Sequence, residues 1–116
     1  MKLNILRIAD AGDLEKERIV LRAATNVDIG EFLLLQARTV GEKITTDISE
    51  TYWFPDKEIS SGDLVILYTK KGRDKEKETK EGKSHFFYWH KTKCVWSKEA
   101  TTPIILNAPF WDTLPE

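Results

Sequence analysis

The sequence predicts an all-β domain, a sandwich or barrel, on two observations. Short apolar runs rich in β-branched and aromatic residues recur at intervals of roughly 10–20 residues, and Gly, Asn, Asp, Ser and Pro cluster between most of them. The one run of good helix formers, "EFLLLQAR", is too short for a helix capped at both ends and lies between Gly30 and Gly41. With 116 residues the chain is expected to form one domain over 1–116. Folding at this length buries roughly two thirds of the unfolded surface, enough for a core without metal or disulfide support.

Seven segments read as strands. "KLNILRIA" (2–9) and "ERIVLRAA" (17–24) flank the polar stretch "DAGDLEKE". The turn "TNVDIG" leads into "EFLLLQART" (31–39), whose alternation of Phe32, Leu34 and Gln36 against Leu33, Leu35 and Ala37 predicts a strand buried on both sides for much of its length. "ETYWF" (50–54) is short, and Pro55 after it pushes Phe54 into extended geometry and ends strand pairing. "SSGD" then supplies turn chemistry, with Gly62 free to take a positive φ and Asp63 able to bond nearby backbone, and "DLVILYT" (63–69) follows. "SHFFYWH" (84–90) and "TPIILN" (102–107) complete the set. In a sandwich, "PDKEISSG" would cross from one sheet to the other, with the aromatics before it sealing that end of the core.

Composition narrows the function classes. Hydrophobic residues make up 41% and charged residues 32%, as in a globular domain with a charged exterior. The net charge of −1 gives the whole molecule no electrostatic preference for nucleic acid or anionic membrane. No apolar run approaches the ~18–20 residues of a membrane span, and "MKLNILRIADAGDLEKE" lacks the apolar length of a secretory signal. A cytoplasmic location is therefore expected, and the single Cys94 agrees with a reducing compartment. Charge is uneven along the chain. "KKGRDKEKETKEGK" (70–83) holds seven bases and four acids and no apolar residue, and reads as a flexible, solvated hairpin loop.

The order of these segments, with "YWFPDKEISSGDLVILYTKKG" and then "FFYWHKTKCVW" and "TPIILN", resembles the lamin tail domain over residues 3 to 107. Tyr52, Phe54, Pro55, Gly62, Tyr68 and Gly72 match that family's aromatic, Phe-Pro and crossing-segment positions. Trp89 and Trp96 match aromatics of its later strand, and Phe32 stands where the family usually has a buried Trp. The resemblance implies an immunoglobulin-like antiparallel β-sandwich of about seven strands. It also implies a binding module rather than an enzyme, since bacterial members are commonly accessory modules of nucleases and other enzymes, and those of nuclear lamins bind proteins and sometimes DNA. One departure is the ending "APFWDTLPE", where the family usually adds a closing strand. Pro109 and Pro115 oppose one here, so Phe110 and Trp111 either cover the last edge or leave it open for a partner.

No residue set commits the chain to chemistry. His85 and His90 are five apart, so on a regular strand they face opposite ways, and Cys94 is expected to be a packed small hydrophobe. The acid pairs Asp10/Asp13, Asp47/Glu50 and Asp56/Glu58, and Asp63, read as solvated turn acids. GxGxxG, P-loop and GxSxG motifs are absent. The period of two sends His85, Phe87 and Trp89 one way and Phe86, Tyr88 and His90 the other; core and end caps are the expected use of these aromatics, and a stacking platform the alternative. The expected function is non-enzymatic binding of another protein by an edge strand or aromatic patch. The alternative is DNA or RNA binding through Lys70, Lys71, Arg73, Lys75, Lys77, Lys80 and Lys83, weakened by the interleaved acids. No catalytic residue, cofactor or metal ligand is expected.

Overall fold

In a computed structural model that describes residues 1–115, the chain is an all-β sandwich. The strands are β1 (Leu3–Ala9), β2 (Arg18–Ala23), β3 (Val27–Asp28), β4 (Phe32–Val40), β5 (Lys43–Trp53), β6 (Glu58–Ile59), β7 (Leu64–Tyr68), β8 (Lys75–Thr79), β9 (Gly82–Tyr88) and β10 (Thr101–Asn107). One sheet has five strands in the order β1-β2-β7-β9-β8, the other three in the order β10-β4-β5, and β3 pairs with β6 beside them.

All seven expected segments contain strands. Those the sequence reading lacked have physical reasons for escaping it. β5 begins at Lys43 rather than near residue 50, because "KITTDIS" mixes charges with β-branched residues and is exposed along most of its length. A two-residue turn joins it to β4, with Gly41 at φ 62°, the positive angle a tight hairpin asks of its first central residue. β8 lies inside the stretch expected to be a flexible loop, and this expectation is corrected: Lys75–Thr79 and Gly82–Tyr88 form an antiparallel hairpin around Lys80 and Glu81. Its backbone needs no apolar side chain to pair, because β9 supplies the buried partner surface.

The pairing of β7 with β9 is parallel, within an otherwise antiparallel array. The chain leaves β7, crosses the end of β9 through residues 69–74 and returns as β8 on its far side. Gly72 makes that crossing. A Cβ there would stand 2.3 Å from the Tyr88 ring, so no other residue fits without displacement.

The inward residues of both sheets form one core that includes Leu3, Ile19, Leu21, Phe32, Leu34, Phe54, Leu67, Phe87 and Trp96. Phe32 is fully buried. An aromatic chain crosses the core: Phe87 to Phe54 (5.2 Å), Phe54 to Tyr52 (5.0 Å) and Tyr52 to Trp89 (5.8 Å) meet edge to face, and Trp89 meets Trp96 tilted at 6.2 Å. Burial, followed by the nearby Asp74 charge, pushes the Tyr52 hydroxyl up to about 12. Phe54 is buried, Pro55 stays exposed, and Gly62 takes φ 90° in the turn into β7. Trp53 corrects the reading that all three aromatics cap the core. It points out from the three-stranded sheet, 47% exposed, and its indole Nε1 donates to the Gly30 carbonyl at 2.7 Å.

Candidate functional site

Two polar clamps sit at opposite ends of the inward row of β7, which reads Asp63, Val65, Leu67, Thr69. At one end Glu17, fully buried, accepts from the Thr69 hydroxyl (2.5 Å) and from the backbone N–H groups of Gly12 (2.9 Å), Val95 (2.9 Å) and Trp96 (3.4 Å). At the other end Asp63 bonds His85 Nε2 at 2.8 Å and accepts from the Ser60 and Lys83 N–H groups, each at 3.2 Å. Burial alone would raise the Asp63 pKa; the bonds from His85, Lys83 and Ser60 outweigh it and hold the carboxyl below its ordinary range. The expectation that Asp63 is a solvated turn acid is thus corrected, because it sits on the inward phase of a strand. Glu17 escaped the sequence reading although a signal existed: it falls in phase with inward Ile19 and Leu21.

His85 meets only Asp63, and its Nδ1 is buried without a hydrogen-bond partner. Cys94 is exposed, which corrects its reading as a packed hydrophobe. Desolvation, and then the Glu17 and Asp13 charges, raise its thiol pKa, the opposite of what a nucleophile requires. His90 lies beyond β9 at φ 61°, exposed. Among the described residues no three His, Cys, Asp or Glu side chains gather for a metal, and no helix is long and apolar enough to cross a membrane.

The outward faces of the two sheets differ sharply. On the three-stranded sheet the cross-strand rows are Trp53–Leu33–Leu106, Thr51–Leu35–Ile104 and Ile48–Ala37–Thr102. Ile44, opposite Thr39, extends them along the β4–β5 hairpin. No charged residue stands in these rows. Ile48, Leu106, Trp53 and Ile44 are 37%, 44%, 47% and 61% exposed. After β10 the Ala108 N–H bonds the Glu31 carbonyl, and Trp111 reaches Trp53, ring to ring at 5.4 Å. The C-terminal segment therefore caps one end of this face and leaves Phe110, 92% exposed, beside it.

On the five-stranded sheet the outward positions carry Arg7 on β1, Arg18 and Arg22 on β2, and Lys75 and Lys77 on β8. Between them lie Val20, Ile66, Tyr68, Phe86 and Tyr88. Tyr68 and Tyr88 stack at 5.4 Å and 9°. Lys70 stands 5.2 Å from the Tyr68 ring centre and Arg18 5.8 Å, while Lys75 stands 5.8 Å from that of Phe86. Burial lifts the Tyr88 hydroxyl pKa above its ordinary value.

The seven bases of 70–83 do not act together. Lys83 is on the inward phase of β9, where it and Lys57 hold Glu76 at 3.0 and 3.2 Å. The bonds from Lys83 and Lys57 depress the Glu76 pKa, and the same contact raises that of Lys83. Lys70 approaches Glu15 at 3.8 Å. Lys71 and Arg73 flank Gly72 in the crossing, and Lys80 is in the hairpin turn, all exposed. Only Lys75 and Lys77 share the outward face with the β1 and β2 arginines, which the sequence reading had not joined to them.

No protein-family profile matches the chain, and no curated protein matches it.

Proposed function

We propose that the protein is a non-enzymatic binding module that docks another protein on the outward face of its three-stranded sheet. The observation that carries this reading is the absence of any charged side chain from rows that present Trp53, Leu33, Leu106, Leu35, Ile104 and Ile48. Strand spacing and rise give the face about 15 × 25 Å, on the order of 400 Å². That is the size of the largest apolar patch on a typical monomer, which is often functional. A stable interface needs about 800 Å² per partner, so Phe110 and the Trp111 cap belong to the contact or the complex is transient. The lamin tail resemblance supports the same class. Exposed Cys94 suits a reducing compartment such as the cytoplasm.

The test is paired affinity purification with the wild type and with Leu35→Lys and Ile104→Lys, followed by titration of the recovered protein in purified form. The variants keep the circular-dichroism melt of the wild type and lose the partner at least tenfold. Undiminished affinity sinks the proposal. Sedimentation of the chain alone distinguishes a second copy from a different partner.

A further inference from the structure

The β8 sequence "KEKET" alternates base and acid, and along a linear chain its charges nearly cancel. On a strand they separate. Lys75 and Lys77 pair across from outward Phe86 and Ser84, whereas Glu76 and Glu78 pair across from inward His85 and Lys83. Glu76 is then neutralised by Lys57 and Lys83. Across all five strands the outward positions hold five cations and no acid, on a chain of net charge −1. Acids approach only from the loops, where Asp10 meets Arg18 at 2.8 Å and Glu15 meets Lys70. Arg7, Arg22, Lys75 and Lys77 have no ion-pair partner among the described residues.

We propose that this face binds single-stranded nucleic acid, with the β2 arginines and β8 lysines taking phosphates on either side of the aromatic floor. Charge complementarity selects a polyanion. The floor selects its kind. Tyr68 and Phe86, both partly exposed, offer stacking surface to unpaired bases, and the guanidinium planes add more. Val20 and Ile66 are 3% and 6% exposed and Leu64 is half-buried; Leu6, 41% exposed in the β1 bulge, stands alone at the sheet edge, so the face lacks the continuous aliphatic surface that enters a lipid layer. A flat sheet face likewise offers no helix or ribbon to a duplex groove. This site lies on the opposite side of the sandwich from the proposed protein-docking face and does not depend on it.

The test is fluorescence anisotropy with labelled oligo-dT of about 15 nucleotides, titrated at about 50 and about 200 mM salt. Five phosphate contacts set a ceiling of about −3.5 on the slope of log affinity against log salt, a loss of about 130-fold between those conditions. The triple variant Arg22→Gln, Lys75→Gln, Lys77→Gln is expected to bind over tenfold more weakly at the lower salt, with the slope falling toward about −1.4. A control with Lys43→Gln, Lys93→Gln and Lys98→Gln is expected to match the wild type within about twofold. Phe86→Leu, which keeps the floor filled, should weaken the single strand and leave the salt slope unchanged. Absence of binding at about 50 mM salt, or equal losses in variant and control, overturns the proposal. Equal affinity for a duplex, polyglutamate or anionic vesicles overturns it too. Leu35→Lys leaves oligonucleotide affinity intact, which separates this outcome from failure of the protein-docking reading.

Discussion

Replacing Glu17 by Gln tests the clamp that joins three separate parts of the chain. One carboxylate oxygen accepts from Gly12 and Trp96 and the other from Thr69 and Val95, and the Glu17 side chain is fully buried. Gln keeps one acceptor oxygen and turns the other into a donor. With the NH₂ toward Gly12 and Trp96, two backbone N–H groups face another donor. With it toward Thr69 and Val95, the threonine hydroxyl can rotate to accept, and only the Val95 N–H is opposed. The second arrangement costs less. It leaves one buried backbone donor unsatisfied, at ~1–3 kcal/mol, and exchanges charge-assisted bonds for neutral ones at the other donors. The expected loss is ~2–4 kcal/mol, set against the 5–15 kcal/mol typical of a whole domain. In urea, with a slope of ~2 kcal/mol/M, the midpoint should fall by about 1–2 M at unchanged slope. Thr69→Val, which removes only the hydroxyl donor, should cost less than Glu17→Gln. A change below about 1 kcal/mol for Glu17→Gln would show that the carboxylate does not hold these donors, and would refute the reasoning.

Phe54 packs against Tyr52 and Phe87 and is 2% exposed, so Phe54→Ala is expected to cost ~3–5 kcal/mol in the same urea melts. Gly72→Ala places a methyl group against the Tyr88 ring and should destabilise by ~1–3 kcal/mol, although residue 72 is only partly buried. Asp63 has a folded pKa below its unfolded value of about 3.9, so its contribution is complete above that pH and is lost as pH falls through the folded pKa. Melts from pH 6 to pH 2 should show an acid limb that is shallower in Asp63→Asn, and an unchanged limb would contradict the clamp.

What was legible in the sequence followed from period-two patterning and from proline and glycine. "DLVILYT" and "SHFFYWH" are apolar on both sides of the chain, so their strands were evident whichever sheet received them. Gly62 and Pro55 marked the crossing segment by backbone constraint alone. The missing strands were those whose partners come from far away. β8 has no apolar side chain, and only its register with β9 makes it a strand. Residues 43–49 resemble a polar loop until β4 is laid beside them. The same distance hid the candidate sites. Arg22 and Lys75 are 53 residues apart and share a face only because β7 and β9 lie between β2 and β8. Leu33 and Leu35 read as core residues, because sequence gives alternation but not which side of a sheet lacks a covering layer.

The cationic face therefore rests on a single register. If β8 slipped by one residue against β9, Glu76 and Glu78 would turn outward and Lys75 and Lys77 inward, replacing two cations by two anions on the outward face. Three features oppose the slip. Thr79 pairs with Gly82 across the hairpin turn, and its hydroxyl donates to the Gly82 carbonyl at 2.8 Å, fixing the loop length. Glu76 is held by Lys57, which comes from the segment between β5 and β6 and does not move with the hairpin. Lys83 closes the same ion-pair group from β9. Exposed ion pairs contribute little to stability, so the value of Glu76 lies in which way its neighbours point. Glu76, one of the interleaved acids that weakened a phosphate-binding reading of the linear sequence, thus helps, in the folded sheet, to hold Lys75 and Lys77 outward.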